Sequence, residues 1–239
     1  MSVISEVIKD YRYKTELHVH TSPVSNCGHV SAGETVAMYA ELGVDALVIT
    51  NHYNQFSTFP EYGRCVSPED FLRDYYDACE VGAEKGVNVI LGVEVRFTEN
   101  MNDYLVYGVE PSDIEKFATY FDKGIERFYR ECKTKRNLIL QAHPFRKGME
   151  LAPLDFIDGI ESFNLHADHN GAVSLAAKYA RENKLIVSGG SDFHKPHHLA
   201  ACLNRTRELP RDSFDVADIL RSKDYFFDVS GSYIFPYEY

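Results

Sequence analysis

The chain contains 239 residues, of which 44% are hydrophobic and 26% charged, a composition typical of a folded globular protein rather than a disordered one. Its formal net charge of −11 argues against binding of a long nucleic-acid duplex, because a phosphate backbone requires a broad cationic surface. No apolar stretch approaches the roughly 20 residues of a membrane-spanning helix. We therefore expect one globular domain over residues 1–239 and no membrane partner.

Strand-like apolar runs alternate with amphipathic helical segments along the chain. The first strand is predicted over residues 15–19, and Ser31 and Glu34 form a capping-box pattern that opens a helix ending near residue 42. A second pattern with proline in the first turn opens a helix at Ser67. Further strands are predicted over 45–50, 88–95, 104–107, 137–142, 159–163, 185–188 and 225–229, and further helices over 111–133, 168–183 and 215–222.

The repeated strand and helix units favour an α/β fold with a parallel sheet. About seven such units in a chain of this length favour a closed or nearly closed barrel over an open sheet. The five cysteines are odd in number and form no CxxC motif, and residues 1–13 contain no apolar signal region. We therefore expect reduced thiols and a cytoplasmic location.

Metal-ligating side chains follow most of the predicted strands. Because the carboxyl ends of parallel barrel strands converge on one face, these side chains should meet in one site. Residues two apart on a strand point the same way, so His18 and His20 can share an ion. Imidazole mixed with carboxylate suits Zn²⁺, Mn²⁺ or Fe²⁺. The residues at the strand ends are His18, His20, His52, Glu94, His143, His166, Asp192 and His194.

Five short motifs resemble those of the PHP (polymerase and histidinol phosphatase) superfamily, in the family order, over about residues 15–200. The resemblance implies a distorted seven-stranded (β/α) barrel of the TIM type, two or three divalent metal ions and hydrolysis of a phosphate ester by a metal-activated water. The tail, residues 211–239, lies outside the motifs. The motifs are His18-Val19-His20-Thr21, Thr50-Asn51-His52, Gly92-Val93-Glu94, Ala142-His143-Pro144 and Gly190-Ser191-Asp192-Phe193-His194.

Carried over residue by residue, the resemblance implies three metal positions. The first would be held by His18, His20, Glu94 and Asp192, and Glu94 would bridge to the second, which also takes His143. Either Asp103 or His166 completes the second, and we favour His166 because it follows a predicted strand. The third would be held by His52 and His194. Asn51 stands where the family usually has aspartate. The family usually has Ser-Asp-Gly shortly after the first motif, but here the stretch is Ser25-Asn26-Cys27-Gly28, without the aspartate.

The expected partner is a phosphorylated small molecule or a short nucleotide. Arg146 is the candidate for binding phosphate, since a guanidinium forms a bidentate fork with phosphate oxygens. His194, or a neighbouring histidine without a metal, is the candidate for protonating the leaving oxygen. The sequence leaves three functions open: a small-molecule phosphatase of the histidinol-phosphatase kind, a nucleotide or oligonucleotide phosphodiesterase, and a non-catalytic metal-binding regulatory domain. Glu94 separates all three from an amidohydrolase, which would carry a bridging lysine there.

Overall fold

A computed structural model describes residues 8–55, 58–59, 64–65 and 67–237 of the chain. Beyond a helical turn at residues 8–10, these residues form the helices α1 (Ala32–Glu41), α2 (Pro68–Lys85), α3 (Asp113–Ala118), α4 (Gly124–Cys132), α5 (Val173–Glu182) and α6 (Ser213–Ser222). The strands are β1 (Tyr13–Val19), β2 (Ala46–Ile49), β3 (His52–Tyr53), β4 (Thr58–Phe59), β5 (Arg64–Cys65), β6 (Asn88–Leu91), β7 (Val93–Arg96), β8 (Asp103–Tyr107), β9 (Leu138–Gln141), β10 (Gly159–Asn164), β11 (Ile186–Gly190), β12 (Leu203–Thr206), β13 (Tyr225–Val229) and β14 (Ser232–Ile234).

Two six-stranded sheets form the body of this mixed α/β fold. The first has the strand order β14-β13-β12-β1-β2-β6, and the second has the order β11-β10-β9-β8-β7-β3. β1, β2 and β6 run parallel, as do β3 with β7, and β9 with β10 and β11. Within the described residues the strands form no closed ring, so the seven-stranded barrel is not confirmed.

The expectation of a parallel sheet is wrong at β8, which pairs antiparallel with both β7 and β9. The loop between β7 and β8 spans only residues 97–102, whereas a parallel crossover requires about a dozen residues. The chain therefore returns as a hairpin. β12, β13 and β14 also add antiparallel strands to the edge of β1.

Two interrupted strands carry the chain from one sheet to the other. β2 leads directly into β3, and β6 leads into β7 through Gly92. A Cβ atom on Gly92 would lie 2.8 Å from Thr50 Cγ2 and from Val48 Cγ1, so only glycine fits without displacing them. His20 N also donates to Phe193 O across 2.9 Å, linking the end of β1 to the segment after β11. The two sheets therefore meet where β1 and β11 end and β3 and β7 begin.

The capping box predicted at Ser31 is present, and the helix predicted to begin at Ser67 also starts with one. Ser31 Oγ accepts a hydrogen bond from Glu34 N at the start of α1, and Ser67 Oγ accepts one from Asp70 N at the start of α2. The helices pack through buried side chains such as Tyr39 on α1 against the first sheet. Among the described helices, none is both long and apolar enough to cross a membrane.

The single helix predicted over residues 111–133 is wrong, because the structure has two short helices there, α3 and α4. The segment between them is held by a distant loop: Thr98 N donates to Phe121 O, and Glu99 Oε1 accepts from Ile125 N. Gly124 has a φ of +78°, and a Cβ atom on it would collide with the Glu99 carboxylate. The Glu99 side chain therefore caps α4 from outside the helix.

Candidate metal centre

β1 delivers two histidines to the junction of the sheets. His18 lies in β1 and His20 directly follows it, with Val19 between them, so both rings point into the same space. Both side chains are fully buried, and their Nε2 atoms lie 3.0 Å apart. Two imidazole nitrogens this close cannot both carry a proton without repulsion, so the pair is suited to facing a shared cation.

Glu94, at the start of β7, lies at the centre of the cluster. Its two carboxylate oxygens lie close to nitrogens of four histidines, and its side chain is completely buried. Neither oxygen accepts a hydrogen bond of normal angle from the described residues. A buried carboxylate in this state is costly unless a cation balances it. The distances are 3.3 Å to His18 Nε2, 3.3 Å to His20 Nε2, 2.7 Å to His52 Nδ1 and 3.3 Å to His143 Nε2.

The segment after β11 supplies Asp192 and His194. Asp192 Oδ1 lies 3.4 Å from His18 Nε2 and 3.3 Å from His20 Nε2, on the side of these rings that also faces Glu94. Asp192 has a φ of +49°, and His143, after β9, has a φ of +30°. Non-glycine residues are rarely held in this region, and such strained residues cluster at active and ligand-binding sites. The fold thus holds both side chains in place at a conformational cost.

The outer ring nitrogens of the histidines are held by protein groups. His18 Nδ1 lies 2.8 Å from Glu161 Oε1, His20 Nδ1 lies 3.2 Å from Ser25 Oγ, and His194 Nδ1 lies 2.8 Å from the Asp192 carbonyl oxygen. A metal-ligating histidine almost always donates its second ring N–H to such a partner. The arrangement therefore leaves the Nε2 atoms of His18 and His20 as lone-pair donors toward the cluster centre.

The charges in the cluster perturb one another strongly. Burial would raise the pKa of Glu94 and of Asp192, but the surrounding histidines hold both well below their usual range. Burial would lower the pKa of His18 and of His52, but the neighbouring carboxylates raise both well above the ordinary value. His20 goes the other way, since burial and the nearby His194 and His52 depress its pKa. Without a cation, protons on histidine must balance the buried carboxylates.

The donor atoms fall into groups small enough to surround single ions. Within each group the ligand atoms all lie within 4.8 Å of one another. Nitrogen mixed with carboxylate oxygen fits Zn²⁺, Mn²⁺ or Fe²⁺ better than Mg²⁺ or Ca²⁺. The residues present therefore fit divalent cations. The groups at the cluster centre are His18, His20 and Asp192; His20, His52 and His194; and His52, Glu94 and Asp103.

Asp103, rather than His166, lies beside the carboxylate and histidine expected at the second position. Asp103 Oδ2 is 3.8 Å from His143 Nε2, and its carboxylate also accepts two hydrogen bonds from Arg96, at 2.7 and 2.6 Å. His166 groups instead with His194 and His198. The preference for His166 relied on strand ends meeting, but β8 is antiparallel to β7 and brings its first residue, Asp103, to Glu94's side of the sheet.

The loop between β1 and α1 approaches the cluster through Cys27. The family pattern would have an aspartate in this loop instead. The Cys27 thiol hydrogen-bonds with the rings of His194 and His52. Burial would raise the pKa of this thiol, but these two hydrogen bonds lower it to about 6. Asn51 does not face a ligand group: its Oδ1 accepts from Thr21 N at 2.7 Å and from Ser25 Oγ at 2.8 Å. Asn51 therefore fixes the loop that carries Cys27.

An open pocket of about 470 Å³ leads to the cluster. Arg146 lies on its wall, with Nη1 3.6 Å from Asp192 Oδ2, and Lys195 lies nearby with Nζ 3.1 Å from Asp168. Asp168 also binds His197 and His198, and of these three residues Asp168 and His198 line the pocket. The volume is within the range of sites for small ligands.

The family model of the PHP domain matches residues 16–231. The chain belongs to the PHP domain family. A search of curated proteins finds no match to this PHP domain.

Solved structures similar to this PHP domain include three bacterial proteins, all below 20% identity, so the likeness concerns the fold. One is a two-domain protein from Bacteroides vulgatus that is described as containing an inferred PHP-like metal-dependent phosphoesterase. It is 19% identical to this chain, with a TM-score of 0.69 over 91% of this chain. This chain covers 64% of that two-domain protein. A second is a protein from Bifidobacterium adolescentis that is described as an inferred metal-dependent phosphoesterase. It is 17% identical with a TM-score of 0.53, and the match covers 88% of this chain and 96% of that protein. PsfC from Pseudomonas syringae is 16% identical with a TM-score of 0.54, over 80% of each chain.

Sequence reasoning missed two buried carboxylates that support the PHP centre. Glu161 on β10 binds His18 Nδ1 and accepts from His143 N at 3.2 Å. Glu16 on β1 accepts hydrogen bonds from the backbone of Leu17 and His18, and from the Ser191 side chain. The available signal was an ionisable residue inside an apolar strand, since such a residue must have dedicated partners.

Proposed function

We propose that this PHP domain hydrolyses phosphate monoesters of small molecules with two or three divalent cations. The observation that carries the proposal is the convergence of four histidines on the buried Glu94 carboxylate beside an open pocket, with Asp192 against two of the same rings. When bound, the cations supply Lewis-acid activation of water and offset charge on the phosphoryl oxygens. The similarity to two proteins inferred to be metal-dependent phosphoesterases supports this class of reaction.

The distances support an assignment of ligands to three cation positions. We assign His18, His20, Glu94 and Asp192 to the first, and Glu94, His143 and Asp103 to the second. His52 and His194 are assigned to the third, because both group with His20. Arg96 binds both oxygens of Asp103 and therefore orients this carboxylate toward the cluster.

Arg146 is assigned to the substrate phosphate. Its side chain is 26% exposed on the pocket wall and lies 3.6 Å from Asp192, so the guanidinium is close to the cluster and still open to the pocket. A guanidinium there binds phosphate oxygens through charge-assisted hydrogen bonds. Lys195 is less suited to this role, because its ammonium already pairs with Asp168.

His194 is assigned to metal binding and not to proton transfer. Its Nδ1 is engaged by the Asp192 carbonyl, and its ring lies among His20, His52 and Cys27. A ring nitrogen that ligates a cation has no proton to give to a leaving oxygen. We therefore assign His194 as a metal ligand and not as the residue that protonates the leaving oxygen.

A small substrate is favoured over a polymer for two reasons. The pocket volume of about 470 Å³ matches a metabolite-sized ligand. The net charge of −11 opposes the approach of a long polyanion, whereas a single phosphate needs only the local charge of Arg146 and the cations.

The test compares an aryl phosphate monoester with the corresponding diester, using protein loaded with Zn²⁺ or Mn²⁺. We expect turnover of the monoester, loss of turnover after chelation, and recovery when metal is returned. Replacement of His18 and His20 by alanine should abolish turnover without loss of the fold, which circular dichroism checks. Turnover that survives chelation, or an unchanged rate in the double variant, would refute the proposal. Preference for the diester would move the assignment to a phosphodiesterase.

A further inference from the structure

The loop between β1 and α1 places Cys27 at a fixed point on the pocket wall. Ser25 N donates to Thr21 O and Gly28 N donates to Ser25 O, each across 2.9 Å, so the loop folds tightly back on itself. A Cβ atom on Gly28 would lie 2.9 Å from the backbone carbon of Thr21, which leaves no space for a side chain. Cys27, between these contacts, is exposed to the pocket.

The loop is anchored to the rest of the domain on its far side. Asp74 on α2 accepts hydrogen bonds from Thr21 Oγ1 at 2.9 Å and from Val24 N at 3.2 Å, and its side chain is buried. Ser25 Oγ accepts from His52 N at 3.0 Å. The position of Cys27 relative to His52 is therefore set by direct hydrogen bonds from the same loop.

At this point Cys27 meets two histidines from separate elements. Its thiol hydrogen-bonds with His52, at the start of β3, and with His194, after β11. The ring of His20 lies between them, with its centroid 4.3 Å from that of His52 and 4.2 Å from that of His194. These three histidines offer nitrogens within 4.8 Å of one another. The Cys27 sulfur thus contacts two of the three rings that share this space.

An independent observation shows that this space is suited to a cation. Glu94, completely buried, directs Oε2 to within 2.7 Å of His52 Nδ1, and neither of its oxygens accepts a hydrogen bond of normal angle from the described residues. On the side that faces His52 and Cys27, the charge of this carboxylate must therefore be balanced by a proton on the His52 ring or by a cation.

We propose that the Cys27 sulfur is a ligand of the cation that His52 and His194 hold. This inference rests on the metal-dependent function proposed above, and it assigns the residue that completes the third cation position. Thiolate with imidazole is a donor set that favours Zn²⁺ over Mn²⁺ or Mg²⁺. The third position then differs in metal preference from the two that are built from imidazole and carboxylate alone.

The test uses the full-length protein loaded with Co²⁺, because cobalt bound by a thiolate shows an intense sulfur-to-metal charge-transfer band in the near ultraviolet. We expect this band in the unaltered protein and its loss in Cys27→Ser. Cys27→Ala should also lose about one metal equivalent per chain, measured by mass spectrometry of the dialysed protein. Cys27→Asp should lose the band and keep the metal, since a carboxylate oxygen replaces the sulfur.

Cys79→Ser is the matched control, because Cys79 lies on α2, is half-buried and contacts Tyr75 instead of the cluster. It should retain both the band and the metal content. A charge-transfer band of full intensity in Cys27→Ser, or fully cobalt-loaded protein with no band, would overturn the ligand assignment. Hydrolysis of the aryl phosphate is measured in parallel on the same samples. A band without hydrolysis would refute the proposed function alone, and hydrolysis without a band would refute the Cys27 assignment alone.

Discussion

Replacement of Glu94 by glutamine tests the centre of the site. Glutamine has nearly the same size and keeps one oxygen, so the change removes a negative charge with little effect on packing. The Glu94 side chain is completely buried, which means that solvent cannot supply a substitute charge. We expect the variant to fold and to lose most of its affinity for divalent cations.

The magnitude follows from the distances. The two oxygens of Glu94 lie 2.7–3.3 Å from nitrogens of four histidines, so a cation that binds any of these nitrogens lies next to the carboxylate. Two unit charges about 4 Å apart interact by about 4 kcal/mol at an effective dielectric constant of about 20. Since the cation is divalent, loss of the interaction weakens binding by at least about a thousandfold.

The measurement is calorimetric titration of chelator-treated protein with Zn²⁺, supported by metal analysis after dialysis. Glu84→Gln is the control, because Glu84 is exposed on α2 and should bind metal normally. Glu94→Asp keeps the charge at a shorter reach and should give an intermediate affinity. Zinc affinity in Glu94→Gln within a few-fold of the unaltered protein would show that Glu94 is not a ligand, and the centre described above would be wrong.

Three other changes probe the substrate contact, the buried network and a helix cap. Arg146→Ala should lower kcat/KM for a phosphate monoester about 10–100-fold, since hydrogen bonds to charged groups contribute about 1.5–3 kcal/mol, while the exposed neighbour Lys147→Ala should have little effect. Glu16→Ala should destabilise the metal-free protein by about 3 kcal/mol or more in urea unfolding, because five donations to its carboxylate lose their acceptor and each buried donor left unsatisfied costs about 1–3 kcal/mol; a change below 1 kcal/mol would contradict this account. Ser67→Ala should cost about 1 kcal/mol in the same assay, and no change would mean that the cap does not stabilise α2.

Most of the candidate centre could be predicted from the sequence because its residues lie on or beside strands. Alternation along β1 places His18 and His20 on one side, and Glu94 follows the break in its strand at Gly92. These are local properties of the chain. Only the assumption that the strand ends converge was needed to bring such residues together, and the structure places the carboxylates of Glu94 and Asp192 within 3.4 Å of the same two histidine nitrogens.

The parts that sequence reasoning missed depend on contacts between distant segments. Asp103 reaches Glu94's side of the sheet because β8 turns back on β7, and a run of five apolar and polar residues carries no sign of its direction. The break between α3 and α4 depends on Glu99, which caps the second helix from another loop. Neither contact produces a periodicity that a sequence pattern could reveal.

The two departures from the family motifs, at Asn51 and in the loop with Cys27, are physically connected. The Asn51 amide donates to Thr21 Oγ1 at 2.8 Å, and that hydroxyl in turn donates to the buried Asp74. An aspartate at position 51 could not donate this hydrogen bond, and it would place a second buried carboxylate close to Asp74. The amide therefore suits a loop that is fastened by hydrogen bonds and presents a sulfur, whereas a carboxylate would demand a cation at that point. The asparagine and the cysteine are therefore consistent with one arrangement of the third cation position. They do not have to be explained as two unrelated losses of an aspartate.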